Sequence, residues 1–165
     1  GNITILRGWT SIDVRRKGIT ARVVNTHLEA IAPGIQEAQG GELLDGPLQT
    51  ELPTVLLGDL NSDANGGGTP GQTDTPTYKT LIEAGFTDAW PANRGQDEGY
   101  SCCQSEDLMN ANSLLSERID FVLTRGKISA KEATRLGADP ATRTASGLWP
   151  SDHAGVSALL RVKRT

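Results

Sequence analysis

The sequence predicts a mixed α/β (α+β) fold in which a mostly antiparallel or mixed sheet is flanked by helices. Three observations predict it: short β-branched runs bounded by turn residues, two segments with apolar residues at helical spacing, and a central apolar run at residues 55–57. Such a run is typical of a strand that is buried on both faces. A chain of 165 residues can bury one good core, so we expect a single domain over residues 1–165.

The strands begin with a predicted hairpin. Partly alternating, β-branched residues lead into the turn sequence Arg15-Arg16-Lys17-Gly18, and a second β-branched run follows. Three consecutive basic residues could hold a phosphate backbone, but a solvated turn explains them better. The predicted strands cover residues 3–14, 19–26, 55–57, 119–123, 127–136 and 155–162.

Two helices are predicted. The first, over residues 34–45, has apolar residues along one side: Ile35, Ala38, Leu43 and Leu44. Two adjacent glycines weaken this helix. The second begins at Thr75-Pro76, with the threonine as its cap and the proline as its first helical residue, and it ends at Gly85.

Two segments predict loops. Residues 62–74 are rich in Gly, Asp, Asn and Thr and lack the lysine and following helix of a phosphate-binding P-loop, so we expect a mobile surface loop. Residues 88–116 are irregular and polar. Because a loop of this length in a compact domain is usually functional or flexible, we expect it to contribute to substrate choice.

Composition limits the function classes. The net charge of −4 and the pI of about 5.2 argue against a high-affinity coat for nucleic-acid backbone. They do not exclude a nuclease, because a metal ion can supply positive charge locally. The sequence contains no apolar stretch that approaches a membrane span. Few lysines and many Gly, Thr and Asn give only a weak indication of export, and localisation stays open.

The two cysteines are adjacent. Because the ring between neighbouring residues is strained, Cys102 and Cys103 are poor candidates for an ordinary disulfide, and we interpret them first as two thiols. A strained vicinal bridge and pairing elsewhere stay open as alternatives.

Polar residues follow several predicted strands. Asp59 and Asn61 come after the central run, and in an extended segment residues two apart point the same way. His27 ends the second strand, and Asp120 lies among apolar residues, where a carboxylate is costly without a partner. Asp152-His153 precedes the last strand.

Four blocks in this order, N-T-H-L-E, G-D-L-N-S, E-R-I-D-F-V-L and S-D-H-A-G-V, resemble the endonuclease/exonuclease/phosphatase superfamily from about Asn25 to the end of the chain. The resemblance implies a DNase I-like β-sandwich flanked by helices. It also implies metal-dependent phosphoester hydrolysis, of the phosphodiesterase or nuclease type, on a nucleic-acid, lipid or small-molecule substrate.

The resemblance implies a role for each site residue. Asp59 positions or deprotonates the attacking water, and Asn61 binds the phosphate. His153 contacts the scissile phosphate, with Asp120 as its carboxylate partner. His27 resembles the second histidine of several branches of the superfamily.

The implied cofactor is Mg²⁺, with Mn²⁺ or Ca²⁺ as alternatives. Asp152 and Asp59 are the metal residues implied in this chain, and magnesium prefers oxygen ligands of this kind. Zinc is disfavoured as the cofactor because the chain has two histidines and no cysteine spacing for a closed site.

The sequence departs from the family pattern in its amino-terminal half. The main metal-binding glutamate is expected upstream of Gly1, and Gln36-Glu37 lies in the wrong order to replace it. The chain therefore resembles the carboxyl-terminal half of such a domain. We expect it to expose a sheet face or edge that the missing half, or a second copy, would cover, and to show weak metal affinity and little activity alone.

Two alternatives stay open. One is a phosphatase or a sphingomyelinase-like lipid phosphodiesterase, which the acidic charge mildly favours; the inositol-polyphosphate 5-phosphatase branch is disfavoured because its W-C-D-R motif is replaced by Ser116-Glu117-Arg118. The other is an inactive fragment that serves only as a binding module.

Overall fold

The computed structural model describes residues 4–90 and 97–163 and consists of two sheets, two helices and a short 3₁₀ turn. The strands are β1 (Trp9–Arg16), β2 (Ile19–His27), β3 (Thr54–Asp59), β4 (Thr87–Asp88), β5 (Asp120–Arg125), β6 (Ile128–Leu136) and β7 (Gly155–Val162). The helices are α1 (Pro33–Asp45) and α2 (Thr77–Glu83), and the 3₁₀ turn is Pro140–Thr142. The predicted mixed α/β class is confirmed.

The larger sheet has the strand order β1-β2-β3-β5-β4. β2 and β3 run parallel, with α1 in the crossover between them, and the other neighbours in this sheet pair antiparallel. β6 and β7 form a separate antiparallel pair with an irregularity between Ala130 and Glu132. A mixed, mostly antiparallel arrangement is therefore confirmed.

Each face of the larger sheet packs against a different layer. Alternate residues of β3 and β5, such as Leu56 and Leu123, face the helices and form one core with residues of α1 and α2. Their neighbours Val55 and Val122 face β6 and β7 and form a second core. The central run is buried on both sides, as the sequence predicts.

Gly58 lies inside β3. Its φ is +131°, and a Cβ built there would lie 1.9 Å from the carbonyl oxygen of Thr26 on the neighbouring strand. A residue without a side chain is therefore required for the close approach of β2 and β3 at the end that carries the polar residues.

The strand bounds agree closely with the prediction, except at the first strand. β1 begins at Trp9, opposite Thr26, because the partner strand β2 ends one residue later at His27. Residues 4–8 therefore lack a strand partner, although the Thr26 hydroxyl donates to the carbonyl of Gly8. Residue 3, where the strand was predicted to begin, lies outside the described residues.

The predicted cap of the second helix is wrong. α2 begins at Thr77 after Pro76, and no side chain of Pro76 caps it. The Thr75 hydroxyl instead accepts a hydrogen bond from Gln36, while Ser62 Oγ accepts from the backbone N–H of Tyr78 in the first turn. A residue from the preceding loop therefore satisfies an N–H group of this helix.

The inward face of α1 also differs from the prediction. Its buried residues are Gln36, Gln39, Gly40 and Leu43. Of the apolar side proposed from the sequence, Leu43 is fully buried, whereas Ala38 is exposed. The buried side of α1 therefore differs from the predicted side, because glutamines occupy buried positions that an apolar pattern assigns to the surface.

β1 is an edge strand that is exposed along its whole length. Ile12 and Val14 are 60% and 46% exposed and lie opposite Val23 and Ala21 of β2, which pack at the border of the second core. An exposed sheet face and edge are therefore present, as expected. Within residues 4–90 and 97–163, no helix is long and apolar enough to cross a membrane.

Candidate active site

Strand register brings three of the predicted site residues together. His27 is opposite Asp59 in the parallel β2–β3 pair, and Asp59 is opposite Asp120 in the antiparallel β3–β5 pair. All three lie at the same end of the central strands, because β2 and β3 end at the level where β5 begins. The site is thus a row across three adjacent strands.

Asp59 is the centre of this row. One carboxylate oxygen accepts from the backbone N–H of Asn61 at 2.8 Å, and the other lies 3.4 Å from Nε2 of His27. Burial and, next, the negative charge of Asp120 raise the pKa of Asp59 above its ordinary value. Asp59 therefore accepts a proton more readily than a surface aspartate.

Asn61 reaches the site by a different backbone path from the one the sequence suggested. β3 ends at Asp59, and Asn61 has a φ of +47°, so the alternation of an extended strand does not continue to residue 61. The Asn61 side chain is buried and donates to the carbonyl oxygen of Leu28 at 3.0 Å. Asp59 and Asn61 nevertheless line the same cavity.

Asp120 has the partner that its position requires. Its Oδ2 lies 2.8 Å from Nδ1 of His153, and because a carboxylate only accepts, the imidazole Nδ1–H donates. This hydrogen bond is the largest cause that raises the pKa of His153, against the opposing effect of burial. Ser101 Oγ accepts from the backbone N–H groups of Ile119 and Asp120 and fixes the start of β5.

Asp152 lies at the surface beside this pair. It is exposed, its Oδ1 accepts from the hydroxyl of Ser151 at 3.1 Å, and it does not line the cavity that Asp59 and Asn61 share. The role of Asp152 as a metal residue stays a prediction.

Cys102 and Cys103 are joined in a vicinal disulfide, so the interpretation as two thiols is wrong. Backbone hydrogen bonds hold this segment on both sides, from Ser116 and Glu117 to Cys102 and from Gln104 to Asp152. The same bonds bring the bridge to the active site. Cys103 Sγ lies 3.7 Å from Nε2 of His153.

The site opens into a cavity of about 440 Å³. His27, Asp59, Asn61 and His153 line it, together with the disulfide and residues from the loop predicted over 62–74. Glu117 holds that loop, because its carboxylate accepts from the backbone N–H and hydroxyl of Thr69 and from the hydroxyl of Thr73. The cavity size is within the range of small-molecule sites, about 300 to 1,000 Å³.

The sequence analysis did not identify three residues that support the site: Gln36, Ser101 and Glu117. Gln36 is fully buried, and its amide donates to the carbonyl oxygens of Leu60 and Asn61, which follow Asp59 directly. The buried set of α1 is spaced i, i+3, i+4, i+7, so a helical pattern that allows inward glutamines could have found it. Nothing in the local sequence marks the other two.

The donor set at the site fits a hard cation. Oxygens of Asp59 and Asp120 and a ring nitrogen of His153 all lie within 4.8 Å of one another. Two carboxylates this close, one of them with a raised pKa, are stabilised by a nearby positive charge. Oxygen ligands of this kind suit Mg²⁺ or Ca²⁺.

These features define a class: a mixed α/β sandwich with a carboxylate–imidazole site at the ends of its central strands. The chain belongs to the Endonuclease/Exonuclease/phosphatase family, whose model matches residues 2–153. This family includes phosphodiesterases, phosphatases and nucleases and is generally hydrolytic, and its members are typically dependent on divalent metal ions. No curated protein matches the chain in sequence.

Solved structures show the same fold. The endonuclease/exonuclease/phosphatase from Bacteroides vulgatus has a TM-score of 0.70 and 21% identity, over 95% of this chain and 56% of that one. A mannosyl-6-phosphatase from Bacteroides thetaiotaomicron has a TM-score of 0.61 and 20% identity, over 88% and 52% of the two chains. TDP2 from D. rerio, complexed with a single-strand DNA product, has a TM-score of 0.65 and 19% identity, over 94% and 62%.

The DNase I-like fold class is therefore confirmed. The chain spans about half the length of the solved structures that it matches.

Proposed function

We propose that this chain carries the carboxyl-terminal part of a metal-dependent phosphoester hydrolase of the phosphodiesterase or nuclease-like type. The observation that carries the proposal is the Asp120–His153 hydrogen bond, which positions His153 near Asp59, and both His153 and Asp59 line one cavity at the ends of the central strands. A carboxylate–imidazole pair next to a carboxylate of raised pKa can act as a proton donor and a proton acceptor at one reacting centre.

Asp59 is the proposed base. It orients the attacking water and takes its proton, and its raised pKa favours this step. The hydrogen bond from Asn61 N–H holds one Asp59 oxygen in place. The other oxygen, which lies 3.4 Å from Nε2 of His27, is the one proposed to take the proton of the water.

His153 and Asn61 are the proposed phosphate ligands. Because Asp120 orients His153 through Nδ1, the opposite nitrogen Nε2 is left for a phosphate oxygen. Asn61 uses one amide hydrogen on Leu28, and its second can donate to the phosphate. His27, exposed at the cavity wall beside Asp59, binds the phosphate from the other side.

Mg²⁺ is the proposed cofactor, with Mn²⁺ or Ca²⁺ as alternatives, and Asp59 and Asp152 are the residues of this chain that are proposed to hold it. When bound, a divalent cation stabilises the negative charge that develops on the phosphate oxygens during hydrolysis.

The substrate is proposed at the level of class. The structural likeness to a mannosyl-6-phosphatase and to a TDP2 with a single-strand DNA product supports both monoesters and diesters. The cavity of about 440 Å³ and the net charge of −4 favour a compact ester over a long nucleic-acid contact.

The experiment is a hydrolysis screen with bis-(p-nitrophenyl) phosphate, plasmid DNA, sphingomyelin and sugar phosphates, in Mg²⁺ and in EDTA. We expect slow hydrolysis that requires Mg²⁺ and falls about 100-fold or more in Asp59→Ala. Asp45→Asn, an exposed carboxylate at the end of α1, is the matched control and should retain the rate. Hydrolysis that survives Asp59→Ala, or none on any substrate at high Mg²⁺, would overturn the proposal.

A further inference from the structure

The vicinal disulfide lies directly beside the proposed phosphate-binding nitrogen. Cys103 Sγ and His153 Nε2 are 3.7 Å apart, and ligand atoms of Cys102, Cys103 and His153 all lie within 4.8 Å of one another. The phosphoester mechanism gives the two sulfurs no role. Their position is therefore unexplained by the proposed hydrolysis.

The distance between Cys103 and His153 matches a shared metal ion. Zn–S bonds of about 2.3 Å and Zn–N bonds of about 2.0–2.1 Å, in tetrahedral geometry, place sulfur and nitrogen about 3.6 Å apart. With the disulfide intact, Cys103 Sγ already lies 3.7 Å from Nε2 of His153, which is close to this spacing.

His153 is also oriented as a metal ligand. A histidine that binds a metal through one ring nitrogen usually donates the other N–H to a carboxylate, which fixes the ring and its tautomer. Nδ1 of His153 has this partner in Asp120. Once the Nε2 proton of the ring has left to solvent, His153 presents the lone pair of Nε2 toward the sulfur of Cys103.

We propose that reduction of the Cys102–Cys103 bond opens a site for one thiophilic divalent cation, such as Zn²⁺, held by the two thiolates and Nε2 of His153. Bound there, the cation blocks the nitrogen that is proposed to contact phosphate, so it inhibits hydrolysis. The inhibition rests on the proposed function, whereas the binding does not. With three protein ligands, water completes the tetrahedral shell.

The chemistry balances with a dithiol reductant. The dithiol gives two electrons to the sulfur–sulfur bond and is itself oxidised to a cyclic disulfide, and its two protons complete the two cysteine thiols. Each thiol then loses one proton to solvent when it binds the cation. Cys103 is exposed, so the reductant can reach the bond.

The binding test uses Cd²⁺ as a thiophilic probe, because its charge-transfer absorption with thiolate reports sulfur bound to metal. Reduced protein, freed of the dithiol, should show the band with one Cd²⁺ per chain, and oxidised protein should show none. His153→Ala should weaken binding by at least about tenfold, since even loss of a supporting group costs 10- to 100-fold. His27→Ala is the matched control and should bind as the wild type does.

The chain suits this test because Cys102 and Cys103 are its only cysteines, and His27 and His153 its only histidines. Absence of the band in reduced protein, or equal affinity in the two histidine variants, would overturn the metal site. Circular dichroism of each variant separates loss of a ligand from loss of the fold.

The inhibition test measures Mg²⁺-dependent hydrolysis of bis-(p-nitrophenyl) phosphate with and without Zn²⁺. Zn²⁺ should inhibit the reduced wild type and spare both the oxidised wild type and Cys103→Ser, which lacks one sulfur ligand. Inhibition that is the same in all three would overturn the inhibitory role. If the chain proves to have no hydrolase activity, the proposed function fails, and the Cd²⁺ measurement still decides the metal site.

Discussion

The Nδ1 atom of His153 and the Oδ2 atom of Asp120 lie 2.8 Å apart, although the two residues are separated by 33 positions in the sequence. Asp120 begins a central strand, whereas His153 lies in the turn before β7 on the other sheet. This hydrogen bond therefore links the two layers of the sandwich at the site. It fixes the ring of His153 and gives the Asp120 carboxylate a partner.

Asp120→Asn tests this link through the pH dependence of hydrolysis. Because the hydrogen bond from His153 to Asp120 raises the pKa of His153, its loss should lower that pKa. If protonated His153 serves the reaction, the alkaline limb of the rate profile should then move to lower pH, and the rate should fall about 100- to 10,000-fold. An alkaline limb that does not move would contradict the assigned role of Asp120.

Asp59→Asn should lower the hydrolytic activity and raise the stability of the fold at pH 7. Asp59 has a raised pKa in the folded state, so the folded state binds its proton more readily than the unfolded state does. This favourable contribution is complete below the unfolded pKa of about 3.8 and is lost as the pH rises through the folded pKa. At pH 7 the ionised, buried carboxylate therefore costs stability.

Denaturant unfolding in EDTA measures the effect. Asp59→Asn should raise the free energy of unfolding by about 0.5–2 kcal/mol at pH 7. The gain should disappear as the pH falls below about 3.8, where the wild-type carboxyl group is also neutral. Destabilisation at pH 7 would show that burial and the charge of Asp120 do not control Asp59.

Gln36→Leu should destabilise the loop that follows β3. The substitution removes the amide that donates to the carbonyls of Leu60 and Asn61 in a fully buried position. Unsatisfied buried acceptors cost about 1–3 kcal/mol of unfolding free energy, measured by thermal or denaturant unfolding. Glu37→Ala, at the exposed neighbouring position, is the control and should change stability by less than about 0.5 kcal/mol.

Much of this fold could be predicted from local sequence. The alternating and apolar runs identified six strands, and the turn at Lys17-Gly18 identified the first hairpin, because these signals depend on neighbours in the chain. The two-residue strand β4 was missed, since two residues carry no period and its pairing with β5 is a tertiary contact.

The features of the site also divide into those that the local sequence could identify and those that it could not. The polar residues at the strand ends could be named from sequence motifs, and the register then brings His27, Asp59 and Asp120 together. The supporting hydrogen bonds of Gln36 and Glu117 span more than 20 residues and could not be read locally. The backbone of Asn61 could not be predicted either, because a positive φ in a non-glycine residue is uncommon.

The exposed face of β1 predicts association. Ile12 and Val14 continue the apolar surface that β6 and β7 cover only in part. We expect weak, concentration-dependent self-association of the 165-residue chain in sedimentation velocity, because an exposed edge with apolar residues favours pairing. Ile12→Lys should abolish it, and Ser11→Lys, on the opposite face of the same strand, should not. A wild type that stays monomeric at every concentration would contradict this expectation.

The most direct test of the central claim is kcat/KM for Mg²⁺-dependent hydrolysis of bis-(p-nitrophenyl) phosphate by the wild type and by His153→Ala. If His153 contacts the scissile phosphate, the variant should lose about 100- to 10,000-fold in kcat/KM while its circular dichroism stays that of the wild type. A folded His153→Ala protein with kcat/KM within a few-fold of the wild type would contradict the assignment of this site as the catalytic centre.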